Sequence, residues 1–253
     1  MIENANKKFE KIYNDVNAIY SYILTSSEIK KLSNDIIKIL KFNYNKKNVN
    51  INEKDILLIT YADTIKSKKN KPLTILNDFL KNFIKNSINI VHILPYYPSS
   101  SDGGFAVTDF FKVDSKYGNW SDLKKISKSY KIMSDVVLNH ASSKSIWFKN
   151  FLKGKGKGKD YFLYYNKDIN TKNVTRARSH KLIQKFDTNQ GKKYVWCTFS
   201  KDQVDFDFKN PDVLIVFIKL ILFLQNKGID FFRFDAVAFI WKRLDTSCIN
   251  LDQ

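Results

Sequence analysis

The sequence predicts an α/β fold in which a parallel sheet of about four strands is covered by helices. Two observations carry this. Short apolar runs, Ile56–Tyr61, Ile88–Leu94, Ile132–Leu138 and Ile229–Phe234, are of strand length and lack the polar alternation of a half-solvated sheet, as buried parallel strands do. Between them lie helical patterns at about Leu73–Asn86, Ser121–Lys128 and Pro211–Lys227, so strand and helix alternate as they do in parallel sheets.

Taken in order, residues 1–50 form a helical N-terminal extension. Phe9, Ile12, Tyr13, Val16, Ile19, Tyr20, Ile23 and Leu24 recur at three- and four-residue steps, and Ile29, Leu32, Ile36, Ile37, Ile39 and Leu40 do so again. Ser26 or Ser27 is expected to cap the second helix, and polar residues 43–52 to form a linker. Residues 51–141 hold the first three strands. Residues 142–207, aromatic and glycine-containing, are too long for a bare loop and are expected to form a small inserted subdomain. Residues 208–253 resume the alternation with the fourth strand. Polar groups gather just after each strand, at Tyr61-Ala62-Asp63, Pro95 through Phe105, Asn139-His140 and Arg233-Phe234-Asp235. In β/α barrels this is the end of the sheet where active sites form.

Composition narrows the function classes. The chain has 253 residues, 43% of them hydrophobic, enough for a sizeable core. No apolar run reaches the roughly 20 residues that span a bilayer; Val213–Leu224 comes nearest and contains Lys219. The N-terminus lacks the apolar segment of a signal peptide, so a cytoplasmic location is expected and membrane association is not. Cys197 and Cys248 lack metal-ligand spacing and read as buried thiols. The net charge of +18 admits an anionic partner, but the lysines are spread along the chain, and nucleic acid is not expected. The densest cluster, Lys153-Gly154-Lys155-Gly156-Lys157-Gly158-Lys159, reads as a solvated loop tip.

Along the last strand, Arg233 and Asp235 lie one residue apart and point to the same face, while Phe232 and Phe234 point to the other. A guanidinium beside a carboxylate keeps it ionised and nucleophilic at neutral pH. Asp135-Val136-Val137-Leu138-Asn139-His140 and Phe232-Arg233-Phe234-Asp235-Ala236 match two signatures of the α-amylase superfamily, glycoside hydrolase family 13. His92 through Pro98, Ser101-Asp102-Gly103-Gly104-Phe105, Val195 through Ser200 with Gln203-Val204-Asp205, and Asp245-Thr246-Ser247-Cys248 resemble its sucrose phosphorylase branch, which includes phosphorylases of glucosylglycerol and glucosylglycerate. The resemblance runs from about Asp55 to the end. The N-terminal helices are similar to an extension in the glucosylglycerate-type relatives.

The resemblance implies that the four strands begin a (β/α)8 TIM barrel. It makes Asp235 the catalytic nucleophile and Arg233 the residue that orients it. Asp102, His140, Phe105, Phe199 and Gln203 would bind substrate, Asp135 would support the barrel end, and phosphate would be co-substrate to an α-glucoside. Asn139 stands where many amylases place a calcium ligand, but this branch implies no metal and no organic cofactor. The family's general acid, a glutamate after the fifth strand, and a His-Asp pair after the seventh have no counterpart here, since only Phe239 to Gln253 follow the fourth strand. The expectation is therefore the first half of a barrel, completed by a second polypeptide. The alternatives are an inactive remnant, or a basic protein that binds an anionic partner or nucleic acid.

Overall fold

The structure, a computed structural model, describes residues 2–43, 50–100 and 102–251, with side chains omitted at 2–5, 42, 43 and 102. Most of the expected linker at 43–52 lies outside the described residues.

Helices α1 (Ile2–Tyr20) and α2 (Ser26–Asn43) form the N-terminal extension. The cap of α2 is Thr25 and not Ser26 or Ser27. Its backbone N–H donates to Glu28 Oε2 at 2.8 Å while its Oγ1 accepts from the Glu28 N–H at 3.4 Å. Thr25-Ser26-Ser27-Glu28 is thus a reciprocal capping box, in which the glutamate three residues on selects which hydroxyl caps.

The central sheet comprises β1 (Leu57–Thr60), β2 (Ile90–Ile93), β3 (Lys131–Val137) and a last strand at Phe231–Asp235. It is parallel throughout and ordered as in the sequence. Helices α3 (Pro72–Phe83) and α4 (Trp120–Ile126) follow β1 and β2. Between β3 and the next sheet helix lie β4 (His140–Ser142), α5 (Ile146–Lys153), β5 (Tyr164–Tyr165), β6 (Ile183–Thr188), β7 (Gly191–Trp196) and β8 (Gln203–Asp205). β5, β7 and β6 form an antiparallel sheet, and β8 returns to pair antiparallel with β4. α6 (Pro211–Asn226) then leads into the last central strand, β9. No helix among the described residues is long and apolar enough to cross a membrane.

α6 explains why the N-terminal helices are needed. Its sequence, Pro211-Asp-Val-Leu-Ile-Val-Phe-Ile-Lys-Leu-Ile-Leu-Phe-Leu-Gln-Asn226, is apolar on nearly every side, so it requires cover on more than its sheet face. Val16, Tyr20, Ile29, Leu32 and Ile36 belong to the same buried cluster as Val216, Phe217 and Leu220 of α6. Tyr20 Oη donates to the Phe208 carbonyl at 2.8 Å, and burial pushes the Tyr20 pKa above its ordinary value, holding the phenol in its donating form. The outer strands leave apolar side chains open: Ile59 of β1 is 58% exposed and Phe234 of β9 45%.

The lysine–glycine run is more closely built than a solvated tip. Lys153 ends α5, Gly154 caps it in the left-handed conformation, and Asn150 Nδ2 donates to the Lys157 carbonyl at 2.8 Å. The lysines do face solvent, but Gly158 is buried against Trp147. A Cβ on Gly158 would lie 2.6 Å from Trp147 Cβ, at a φ of +89° that L-residues rarely adopt. Gly191 has a similar φ of +93° with nothing within 4 Å. Gly191→Ala should therefore cost backbone strain alone, about 1 kcal/mol, whereas Gly158→Ala adds a steric clash and should cost about 3 kcal/mol. Urea unfolding midpoints of the two variants measure the difference; equal losses would mean that the Trp147 contact does not constrain the turn.

Candidate functional site

The site forms where β2, β3 and β9 end. Parallel register sets Asp135 beside Arg233 and Val137 beside Asp235, and places His92 beside Met133, two residues before Asp135. Side-chain alternation then puts His92, Asp135, Arg233 and Asp235 on one face.

Asp135 is fully buried, and both of its oxygens are engaged. His92 Nε2 lies 2.8 Å from Oδ2, and an Arg233 guanidinium nitrogen donates to Oδ1. The same nitrogen, Nη1, lies 2.9 Å from Asp235 Oδ1. One guanidinium therefore bridges two carboxylates that would otherwise repel. Burial pulls the Arg233 pKa down, and bonding to Asp135 and Asp235 reverses this, so its pKa lies above the ordinary arginine value. Arg233 stays charged at any pH of interest. Its guanidinium carbon also lies over the Phe105 ring, 6.0 Å from the centroid, within reach of a cation–π contact. Below the row, Tyr97 Oη donates to the Asp135 carbonyl at 3.0 Å, and Ser134 Oγ donates to Tyr96 Oη at 2.9 Å. The Tyr-Tyr pair after β2 thus fixes the β3 backbone at the charged end.

A second buried network holds the loop after β3. Pairing of β4 with β8 sets His140 opposite Asp205 and Ser142 opposite Gln203. Asn139 Nδ2 donates to Asp205 Oδ2 at 2.9 Å, and the Thr198 N–H donates to Asp205 Oδ1 at 3.0 Å. Lys242 Nζ lies 2.7 Å from both Asn139 Oδ1 and Asp205 Oδ2 and is itself buried. An ammonium therefore occupies the oxygen-lined position that a metal would need. Asn139 and Asp205 do not fit a calcium ion while Lys242 stands between them, because the lysine already supplies the compensating charge.

His140 is buried as well, with Gln203 Nε2 3.0 Å from its Nε2 and Asn139 Nδ2 3.3 Å from its Nδ1. A neutral imidazole accepts at one nitrogen only, and the shorter contact, to Gln203, is the better placed. A sugar hydroxyl reaching this ring would have to replace or share that bond. Phe199 packs on it with centroids 5.2 Å apart and meets Phe239 edge-on at 5.3 Å, so the half-buried Phe199 face joins the β3 and β9 loops. The backbone of Asp102 opens a short 3-10 turn, Asp102–Gly104; its side chain lies outside the described residues. Gly104 is required there, since a Cβ would approach the Pro95 carbonyl oxygen to 2.5 Å at a φ of +97°.

Of the candidate residues, Arg233, Asp235 and Phe105 come together at one centre, and His140, Gln203 and Phe199 at a second cluster beside it. Three residues that sequence reasoning left without a role organise them: His92, Asp205 and Lys242. His92 had no local signal, since only the pairing of β2 with β3 brings it onto the face of the charged row. Lys242 had none either, because its partners lie 37 and 103 residues away in the chain.

Comparison with known proteins agrees with this geometry. The family model for the α-amylase catalytic domain matches residues 77–249. A glucosylglycerate phosphorylase of Allomeiothermus silvanus is 42% identical over 79% of this chain and 36% of its own length. That of Escherichia coli is 35% identical over 96% of this chain and 44% of its own. The crystal structure of sucrose 6F-phosphate phosphorylase from Thermoanaerobacter thermosaccharolyticum superposes with a TM-score of 0.73 at 29% identity, over 81% of this chain and 44% of that one. The chain thus spans well under half the length of these relatives, and its four parallel strands correspond to part of their barrel. With the family model covering both the charged row and the His140 network, the chain belongs to the α-amylase family, on the branch of the glucosylglycerate and sucrose phosphorylases.

Proposed function

We propose that these residues form part of the active site of an α-retaining glucoside phosphorylase. The observation that carries the reading is the Arg233–Asp235 pair, 2.9 Å apart at the end of β9 and anchored on buried Asp135. In this reading an Asp235 oxygen attacks the anomeric carbon of an α-glucoside. The bond to the leaving oxygen breaks, that oxygen takes a proton from an acid, and a β-glucosyl ester forms on Asp235. A phosphate oxygen then attacks the same carbon and displaces the carboxylate. Two inversions give α-glucose 1-phosphate with net retention.

Each neighbouring group has a stated task. Arg233 keeps Asp235 ionised and aimed, and Asp135 with His92 holds Arg233 in turn. Phe105 and Phe199 offer apolar ring faces to the sugar, whose own faces are apolar and whose edges are polar. His140, Gln203 and Asp102 are proposed hydroxyl partners. The acid must come from outside these 253 residues if it is a glutamate beyond the fourth strand, since none follows Glu53. The activity is accordingly proposed for these residues together with a counterpart of the relatives' remaining length. The similarity to glucosylglycerate phosphorylases makes glucosylglycerate the first donor to try, ahead of sucrose, sucrose 6-phosphate and glucosylglycerol. We also propose that catalysis needs no metal or organic cofactor, the buried Lys242 ammonium serving where a cation could have sat.

Four outcomes follow. Phosphate-dependent release of α-glucose 1-phosphate is expected when the chain is mixed with the remaining barrel portion of a relative. Silence from folded material of both kinds would favour an inactive remnant. In that mixture Asp235→Asn should lower turnover by about 10³-fold or more, on the scale of lost nucleophiles, with an unchanged circular dichroism spectrum; near-normal turnover would remove Asp235 from the role. Lys242→Met leaves Asp205 buried without its counter-charge and should cost about 3 kcal/mol, with Lys242→Met/Asp205→Asn recovering part of the loss in urea titrations. A chelator should leave the wild-type melting temperature unchanged; a fall would show that a metal contributes.

A further inference from the structure

A basic cleft beside this site has no part in the scheme above. It has a volume of about 490 Å³ and runs along the segment between β1 and α3, with Lys66, Lys68, Lys69, Lys71 and Lys116 on its walls. Among the described residues of its lining, Asp63 is the one acidic residue. Lys66 pairs with Asp63 at 3.0 Å and Lys116 with Asp114 at 3.3 Å. Among the described residues, Lys68, Lys69 and Lys71 have no carboxylate within ion-pair distance.

Folding alone gives no reason to collect these charges. Lysines within a Debye length of one another, about 8 Å at physiological salt, repel, and a concave wall of one sign concentrates the field. The start of α3 adds to it: Lys71 precedes Pro72 with no side-chain cap and no acidic residue in the first turn, so the positive end of the helix is uncompensated. The cleft is contiguous with a second cavity of about 370 Å³, and the two share Asp63, Lys116 and Tyr117. Tyr61, Ser99, Ser100, Gly103 and Gly104 line the second cavity. That lining flanks Asp102 and Phe105, the turn that approaches Arg233.

We infer that this cleft binds a phosphate group. Several compact ammonium charges on one cleft suit a tetrahedral dianion, whereas a carboxylate presents one charge in one plane and is better met by a guanidinium fork. The group could arrive as the free ion or on a sugar, and the neighbouring cavity has hydroxyl and aromatic walls that a sugar could occupy. The position next to the Asp102 turn rests on the phosphorylase reading; the binding itself does not.

The test is titration calorimetry of the 253-residue chain with inorganic phosphate and with glucose 1-phosphate at fixed ionic strength. Saturable binding is expected. Lys68→Gln/Lys69→Gln/Lys71→Gln, three exposed positions where the fold should not suffer, should weaken it at least tenfold. Lys153→Gln/Lys155→Gln/Lys157→Gln removes the same charge at a distant loop and should change it less than twofold. Equal losses in the two triple variants, or no saturation in wild type, would overturn the proposal by reducing it to the general positive field. Tighter binding of glucose 1-phosphate would support the site with a sugar phosphate as occupant, and equal affinities would support it with the free ion. Binding at the lysine cleft is read without turnover, so failure of the nucleophile assignment would leave this result standing, and the reverse.

Discussion

Burying a carboxylate costs several kcal/mol unless its charge is met inside the protein, and Asp135 is wholly buried at the centre of the sheet. Its two oxygens are met from opposite sides, by His92 on β2 and by Arg233 on β9. The compensation therefore spans three adjacent strands. It works only if their register is correct, because a slip of one residue would turn each charged side chain to the opposite face. The same requirement fixes where Asp235 lies, since Arg233 can reach both carboxylates only when β9 stands in its observed register beside β3. Removing either partner of Asp135 would leave a buried, partly compensated charge, so the structural and chemical demands on this row cannot be separated by simple deletion.

The same physics recurs one layer out. Asp205 is buried and meets Asn139, Thr198 and Lys242, drawn from three different segments of the chain. The first network aligns the strands and the second aligns the loops that follow them. Between them lie the aromatic faces of Phe105 and Phe199, one near the guanidinium and the other against His140. The polar groups of the candidate site are thus held by neighbours that do not themselves need to touch a ligand.

Much of this was legible in the residues. The four strands fall within two residues of the expected runs, because continuous β-branched and aromatic stretches have few other stable arrangements. The shared face of Arg233 and Asp235 followed from the period of a strand. The all-round apolar character of α6 was visible too, though its consequence, a cover formed by α1 and α2, was not. What could not be read were partnerships between distant positions. Lys242 sits next to Arg243 with no acidic residue beside it that would mark it as a buried partner, and its burial depends on where β8 places Asp205. His92 had no local context, and its role appears only when β2 is laid beside β3. The basic cleft was hidden because its lysines resemble the many others in a chain of net charge +18, and only the fold separates a wall of a cleft from a solvated loop.

The proposed chemistry turns on Asp235 receiving the glucosyl group. It is tested most directly by incubating the protein, completed by the remaining barrel portion, with a fluorinated α-glucosyl fluoride and mapping the adduct by peptide mass spectrometry. Fluoride needs little protonation to leave, so the result reports on the nucleophile more than on the acid. A glucosyl adduct on the peptide containing Asp235, absent from Asp235→Asn, is the expected result. An adduct on another carboxylate, or turnover with none on Asp235 under conditions that trap the intermediate, would contradict the account.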